Sequence, residues 1–398
     1  MNDFQHPSPL STLPPERPLE RLLDSSCGAL RGVGRLLCNT VGRGQFAIAF
    51  AEANPGTQVT CFLRDLYDWQ QCAPAQAPGL EWCCQSDVPP GPFDAVAFAF
   101  GQHGEAEWTR EMLQAGYAAL RDQGKMVVVS DNRNDRWLLA QMQLLFSRVE
   151  RSVAEQGVSY QGCKTSDHVP RIRSFTAEFV FRDGDRLLRV RTRPGVFSHR
   201  RIDPGARALL RVMRVESGMR VLDLGCGSGV ISLAAASRAT HPLGESGPAQ
   251  PTSTELATRS RTQVLALDSN PRAVECLEWS AKQNQIDCIT VRLDCDGSAI
   301  AAPPAGAWYG PGRFDLVAVN PPYYSHFRIA DRMLRTAELA LRADGELLVV
   351  TKSPEWYLER LADSFREITF EPVKNYMVVR AWRLGSRGEP GHAAQPPI

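Results

Sequence analysis

An internal duplication constrains this chain before anything else does. Phe93-Asp94-Ala95-Val96 recurs as Phe314-Asp315-Leu316-Val317, and Gly124-Lys125-Met126-Val127-Val128-Val129 recurs as Gly345-Glu346-Leu347-Leu348-Val349-Val350, both at a spacing of 221 residues (314 − 93 and 345 − 124). Two matches at one spacing point to two copies of one folding unit. Farther upstream the spacing shrinks: Gln58-Val59 pairs with Gln263-Val264, and Leu36-Leu37 through Gly44 pairs with Val221-Leu222 through Gly229. Residues 240–261, poor in apolar side chains and rich in Pro, Ser and Thr, account for much of that shift and read as a surface insertion.

Each half alternates short apolar runs with helical patterns, which argues βαβ units and a parallel, doubly wound α/β sheet. In the second half, strands are expected at Arg220–Leu224, Gln263–Asp268, Ile289–Leu293, 314–320 and 346–351, with helices beginning near Gly229, Asn270, Arg328 and Pro354. Two extended runs, 367–370 and 375–383, close the chain as an antiparallel pair at the sheet edge. The expected layout is a disordered tail over 1–20, a first domain over 21–165, an Arg-rich junction over 166–200, a second domain over 201–384 and a disordered tail over 385–398.

Composition narrows the class. A chain of 398 residues, 43% hydrophobic, is long enough for two full cores, which excludes a disulfide-stapled or wholly disordered protein. Its 11 cysteines are scattered with no CxxC pair, as expected of thiols in a reducing compartment, and no metal site is predicted. No window reaches the roughly 18 uncharged apolar residues of a membrane helix, and the first twenty residues are polar and Pro-rich, so a cytoplasmic, soluble chain with no membrane partner is expected. The net charge of +1 gives no global polycation, but residues 171–214 hold twelve Arg against four acids. That stretch suits phosphate contacts, and equally the solvated faces of a charged hairpin.

Three motifs carry chemistry. The run Arg220-Val221-Leu222-Asp223-Leu224-Gly225-Cys226-Gly227-Ser228-Gly229 is an apolar strand entering a glycine-rich turn, which lets backbone approach a ligand and aims helix N-terminal amides at it. The next strand ends in Asp268, placed to take the two ribose hydroxyls of an adenosine cofactor, or to cap the helix that follows. The third motif, Asn320-Pro321-Pro322-Tyr323, stands where an apolar strand ends. An Asn oxygen and the carbonyl of Pro321 can accept both N–H groups of a planar exocyclic amine, with the prolines fixing the backbone and Tyr323 offering a face for stacking.

Together these motifs resemble class I S-adenosylmethionine-dependent methyltransferases that act on amino nitrogen. Pro194-Gly195-Val196-Phe197-Ser198, followed by Ile202-Asp203-Pro204-Gly205-Ala206-Arg207-Ala208-Leu209-Leu210, resembles more narrowly the small methyltransferase domain type, similar to bacterial rRNA guanine-N2 methyltransferases with a duplicated, degenerate N-terminal half. The resemblance implies two tandem Rossmann-like domains. Asp223, Gly225 and Gly227 would hold the methionine end of the cofactor and Asp268 its ribose, Asp296 (or its neighbour Asp294) would meet the adenine, and Phe197 and Ser198 would lie over the cofactor. Asn320, Pro321, Pro322 and Tyr323 would form the catalytic motif.

In the first half, Asp223 is matched by Cys38, Asp268 by Leu63, and Asn320-Pro321-Pro322-Tyr323 by Ala99-Phe100-Gly101-Gln102, so that copy is expected to be non-catalytic. The expected activity is methylation of a guanine N2 in ribosomal RNA or a ribosomal subunit, by a monomer. N6-adenine methylation, methylation of a glutamine side chain, a small-molecule amine substrate and a catalytically silent RNA-binding or assembly role are the alternatives.

Overall fold

The computed structural model describes residues 18–102, 104–240, 262–322 and 327–384. The described residues form two compact units, one from Met1–Thr176, Arg193–Gly195 and Asn270–Arg272, the other from Ala177–Thr192, Val196–Ser269 and Ala273–Ile398.

The first unit runs α1 (Pro18–Ser26), β1 (Arg35–Asn39), α2 (Gln45–Ala53), β2 (Gln58–Leu63), α3 (Leu66–Cys72), β3 (Leu80–Cys84), β4 (Phe93–Phe100), α4 (Ala106–Ala119), β5 (Leu120–Ser130), α5 (Trp137–Gln143), β6 (Val149–Ala154) and β7 (Gly157–Cys163). Its strands stand in the order β3-β2-β1-β4-β5-β7-β6. Only the last hairpin is antiparallel. Leu36, Cys38, Val59, Ala95 and Val127 face α1 and α2 on one side, while Leu37, Val96, Phe98 and Val128 face α4 and α5 on the other. A parallel strand covered on both faces must be apolar throughout, which is why these strands read as continuous apolar runs.

Helix α1 begins inside the stretch expected to be a disordered tail. Leu19, Leu22 and Leu23 form a helical stripe that is buried in the core, and the burial of that stripe orders the segment.

The second unit runs β8 (Ala177–Asp183), β9 (Arg186–Thr192), α6 (Pro204–Val212), β10 (Arg220–Leu224), α7 (Val230–Thr240), β11 (Gln263–Asp268), α8 (Pro271–Gln283), β12 (Ile289–Leu293), α9 (Ser298–Ala301), β13 (Phe314–Val319), α10 (Arg328–Ala340), β14 (Leu341–Thr351), α11 (Pro354–Leu361), β15 (Phe365–Val373) and β16 (Tyr376–Arg383). Its order, β12-β11-β10-β13-β14-β16-β15, repeats that of the first unit strand for strand. Helices α6, α7 and α8 cover one face and α9, α10 and α11 the other. Strand β14 starts at Leu341, ahead of the expected residue 346, because an irregularity between Phe314 and Leu316 lets Leu341 pair with Phe314.

The recurring Phe-Asp pair has a structural cause. Asp94 accepts the Arg35 backbone N–H at 2.7 Å and binds the Arg121 guanidinium, while Asp315 accepts the Arg220 N–H at 2.7 Å and the Arg342 Nε at 2.5 Å. In both units the acid fastens the start of the central strand to the neighbouring strand. That duty does not depend on catalysis.

The two-stranded ribbon β8–β9 belongs to the second unit, where Phe181, Leu188 and Val190 enter the core. Asp183 at its turn receives Arg238 Nε at 2.8 Å and Nη2 at 2.6 Å. Arg238 also donates to the carbonyls of Met213 and Leu210, both at 2.7 Å. This paired and hydrogen-bonded buried charge joins the ribbon, the end of α6 and α7.

Candidate active site

Parallel sheets bind ligands beyond the carboxyl ends of their strands, where the strand order reverses. In the second unit that point lies between β10 and β13, which run in register with Leu224 beside Val319. Gly225 and Asn320 are therefore the next residues out on either side of the switch. On the other flank of β10, Leu224 pairs with Leu267, so Asp268 ends β11 at the same level.

Gly225, Gly227 and Gly229 have φ of +72°, +51° and +78°, a left-handed conformation that other residues adopt only with strain. The turn is tied down by Leu267, whose carbonyl accepts from the N–H groups of Gly225 at 2.8 Å and Cys226 at 2.9 Å. Asp268 Oδ2 accepts from Gly227 N at 2.8 Å, so the expected ribose acid also shapes the glycine turn. A Cβ on Gly229 would stand 2.4 Å from Leu277 Cδ1, which makes that glycine a packing requirement of α8. Phe197 lies over the turn, its Cβ 3.5 Å from where a Cβ on Gly227 would be, and its side chain stays exposed. Ser198 Oγ donates to the Arg201 carbonyl at 3.0 Å, holding the segment that carries Phe197.

Asp223 is a buried acid in a strand that is otherwise apolar from Val221 to Leu224. Its Oδ2 accepts from Ser232 N at 3.0 Å and Ser232 Oγ at 2.6 Å, while its Oδ1 is buried with no partner among the described residues. Burial pushes its pKa up to about 7, against the opposing pull of the Ser232 bonds. A buried acceptor left unsatisfied is costly, and a cationic ammonium group is the ligand chemistry that would relieve it. The Cys226 thiol within the turn is pushed well above its ordinary value by burial, which removes it as a nucleophile.

The two acids after β12 separate by environment. Asp294 is spent on local structure: Oδ1 accepts from Gly297 N at 2.7 Å and Oδ2 from Ala299 N at 2.7 Å and Ser298 Oγ at 3.1 Å. Asp296 is exposed and accepts from Ser298 N at 3.0 Å.

Asn320 follows β13 and is half-buried, Pro321 is buried, and Pro322 is half-buried. Its Nδ2 donates to Asp203 Oδ2 at 2.9 Å. Asp203 also caps α6, accepting from Ala206 N at 3.0 Å ahead of Pro204 in the first turn. A Cβ on Gly205 would stand 2.8 Å from both Asn320 Oδ1 and Asp203 Oδ2, so only glycine admits this contact without displacement. Asp203 and Gly205 belong to the stretch that carries the narrower resemblance, but the sequence reading gave neither a role in the site. The Asp-Pro signature announces a helix cap, and nothing local reveals a partner more than a hundred residues on. Tyr323 and the 241–261 part of the expected insertion lie outside the described residues.

The first unit fills the corresponding turn with its own side chain. Glu20 of α1, fully buried, accepts from Thr40 Oγ1 at 2.6 Å and Val41 N at 2.9 Å through Oε1, and from Phe46 N at 3.0 Å through Oε2. Gly44 lies under Trp82. The register confirms the matching of the copies: Cys38 pairs with Ala97 and Cys61 as Asp223 pairs with Ala318 and Ala266. Cys38, Leu63 and Ala99 thus occupy the places of Asp223, Asp268 and Asn320. Among the described residues no group of three or more His, Cys, Asp or Glu is arranged to hold a metal, and no helix is long and apolar enough to cross a membrane.

Comparison with known proteins agrees with this geometry. Residues 187–243 and 251–380 match the family described as methyltransferase small domain. A Chromohalobacter salexigens protein named ribosomal RNA small subunit methyltransferase C is 27% identical over 293 residues, 69% of this chain and 73% of that one. Proteins of the same name from Marinomonas and Pseudomonas entomophila are 27% and 28% identical over 58% and 48% of this chain, spanning 61% and 50% of their own lengths. A T. thermophilus 16S rRNA N2 methyltransferase, solved in complex with AdoMet and guanosine, superposes with a TM-score of 0.72 at 19% identity, covering 92% of each chain, and so shares the two-unit fold. The match to the methyltransferase small domain falls almost wholly in the second unit, and the chain resembles methyltransferases of that type in sequence and in fold.

Proposed function

We propose that this chain transfers a methyl group from S-adenosylmethionine to the exocyclic N2 of a guanine in small-subunit ribosomal RNA. The observation that carries the reading is the placement of Asn320 at the switch point, one residue beyond the Leu224–Val319 pair and beside the glycine turn. The names of the curated relatives support the RNA substrate, and the retained site in the second unit argues against a silent assembly role.

Asp223, with its unpartnered buried oxygen, would take the ammonium of the methionine end. Asp268 would take the ribose hydroxyls, Asp296 the adenine, and Phe197 and Ser198 would close over the turn. When bound, the cofactor supplies an electrophilic methyl on a sulfonium. Asn320 Oδ1 and the Pro321 carbonyl accept the two N–H groups of the guanine amine, turning its nitrogen toward that methyl. Pro322 fixes the backbone that follows, and the motif assigns Tyr323, outside the described residues, the face for stacking on the base. The side chains act by orientation and by excluding water, and the proton released from the amine passes to solvent. A target guanine within a duplex has to be extruded to reach the site. The reading carries with it a monomer working in the cytoplasm, with the first unit free of catalytic duty.

The test offers labelled S-adenosylmethionine with separate pools of small-subunit rRNA, large-subunit rRNA, tRNA and release factor from a strain lacking the gene, followed by nucleoside analysis. N2-methylguanosine in the small-subunit pool is the expected product. Label in protein or in N6-methyladenine overturns the substrate assignment.

A further inference from the structure

We infer that Asp203 is a positioning residue for methyl transfer, acting through Asn320. The inference rests on Asn320 being the acceptor for the substrate amine.

An Asn side chain can present either its oxygen or its NH2 group, and only the oxygen can accept from an amine. Asp203 Oδ2 acts as an acceptor, taking the Ala206 N–H at 3.0 Å, and the end of Asn320 that faces it at 2.9 Å is the donor Nδ2. The amide cannot turn over without placing its oxygen against a carboxylate. Oδ1 is thereby held as the acceptor end of the amide, next to Gly205. Donation to a charged acceptor also draws the amide toward its polar resonance form, which raises the negative charge on Oδ1 and strengthens the bond it makes to the substrate N–H.

Asp203 is itself held in place. Its Oδ2 accepts from Ala206 N at 3.0 Å at the start of α6, where the helix dipole favours a carboxylate. Gly205 leaves room for the pair, since any side chain there would begin 2.8 Å from both partners and 3.2 Å from Val350 Cγ1. A cap alone would be served as well by Ser or Thr. The reach of the carboxylate to the residue that follows β13 is what the cap does not require.

The experiment separates the two duties with the full chain. Asp203→Ser keeps a capping oxygen but is too short to hold Asn320, and Asp203→Asn keeps the length without the charge. Expected for Asp203→Ser is a fall in kcat of about thirtyfold or more, with KM for RNA and Kd for S-adenosylmethionine within about twofold and Tm within a few degrees; Asp203→Asn falls in between. A Asp203→Ser enzyme with wild-type kcat, or one altered only in Tm or Kd, overturns the inference. Should the wild type methylate a nitrogen other than guanine N2, the reading of the substrate falls while the same comparison, made on that product, still decides Asp203. A readout independent of turnover is the 15N-labelled side-chain amide of Asn320, identified by its loss in Asn320→Ala. Its protons are expected downfield and slow to exchange in the wild type and to lose both properties in Asp203→Ser; unchanged signals contradict the inference.

Discussion

Asn320 and Asp203, 117 residues apart in sequence, meet through a 2.9 Å hydrogen bond that places the strand-end amide against the cap of the helix preceding the central strand. Gly205 makes that meeting possible. Gly205→Ala is therefore expected to lower kcat about tenfold or more, although Ala is the better helix former by about 1 kcal/mol. Steady-state kinetics beside thermal melts check this, and wild-type kcat in Gly205→Ala contradicts the close approach.

Asn320→Ala is expected to abolish turnover while leaving S-adenosylmethionine affinity within about twofold, since the role proposed for the residue is to orient the substrate amine and not to hold the cofactor. Calorimetric titration and single-turnover assays measure the two quantities on one preparation.

Asp268 both accepts from Gly227 N and ends the strand beside the turn. Hydrogen bonds to a charged group contribute about 1.5–3 kcal/mol, so Asp268→Ala is expected to weaken cofactor binding about ten- to hundredfold in calorimetry.

Asp223 gives the protein a pH dependence with a definite sign. Its pKa in the folded chain is pushed up to about 7 by burial, against about 4 unfolded, so between those values the folded state keeps a proton that the unfolded state has lost. The stability it contributes is full below about pH 4 and is lost as pH rises through about 7. Asp223→Asn removes the charging step, so the cofactor-free variant is expected to melt higher than the wild type at pH 8, with the gap closing toward pH 5. The same variant loses affinity for the cofactor. A gap of equal size at both pH values contradicts this account.

The ribbon β8–β9 depends on the buried Arg238–Asp183 pair. Arg238→Ala leaves a buried carboxylate unpaired and is expected to cost about 3–5 kcal/mol in denaturant unfolding, whereas the double variant Arg238→Met with Asp183→Leu recovers most of that loss.

Much of this architecture was legible in the sequence because parallel strands covered on both faces leave apolar runs, and because Asp94 and Asp315 keep one structural duty in both copies. The glycine turn, Asp223, Asp268 and Asn320 were legible as candidates because each stands in, or just after, a strand whose carboxyl end lies at the switch point. Asp203 was not, since its local signature is fully explained by the helix cap. Glu20 was not either: an acid in a Pro-rich opening reads as solvated, and only the fold brings the N–H groups of Val41, Gly42 and Phe46 to it. Asp294 and Asp296 could be told apart only once the turn that consumes Asp294 was in view.

The most direct measurement of the central claim is mass spectrometry of small-subunit rRNA nucleosides from cells lacking this gene, complemented with the wild-type gene or with Asn320→Ala. The account predicts that one N2-methylguanosine disappears on deletion, returns with the wild type and stays absent with Asn320→Ala. An N2-methylguanosine content unchanged by deletion, or restored by Asn320→Ala, contradicts it.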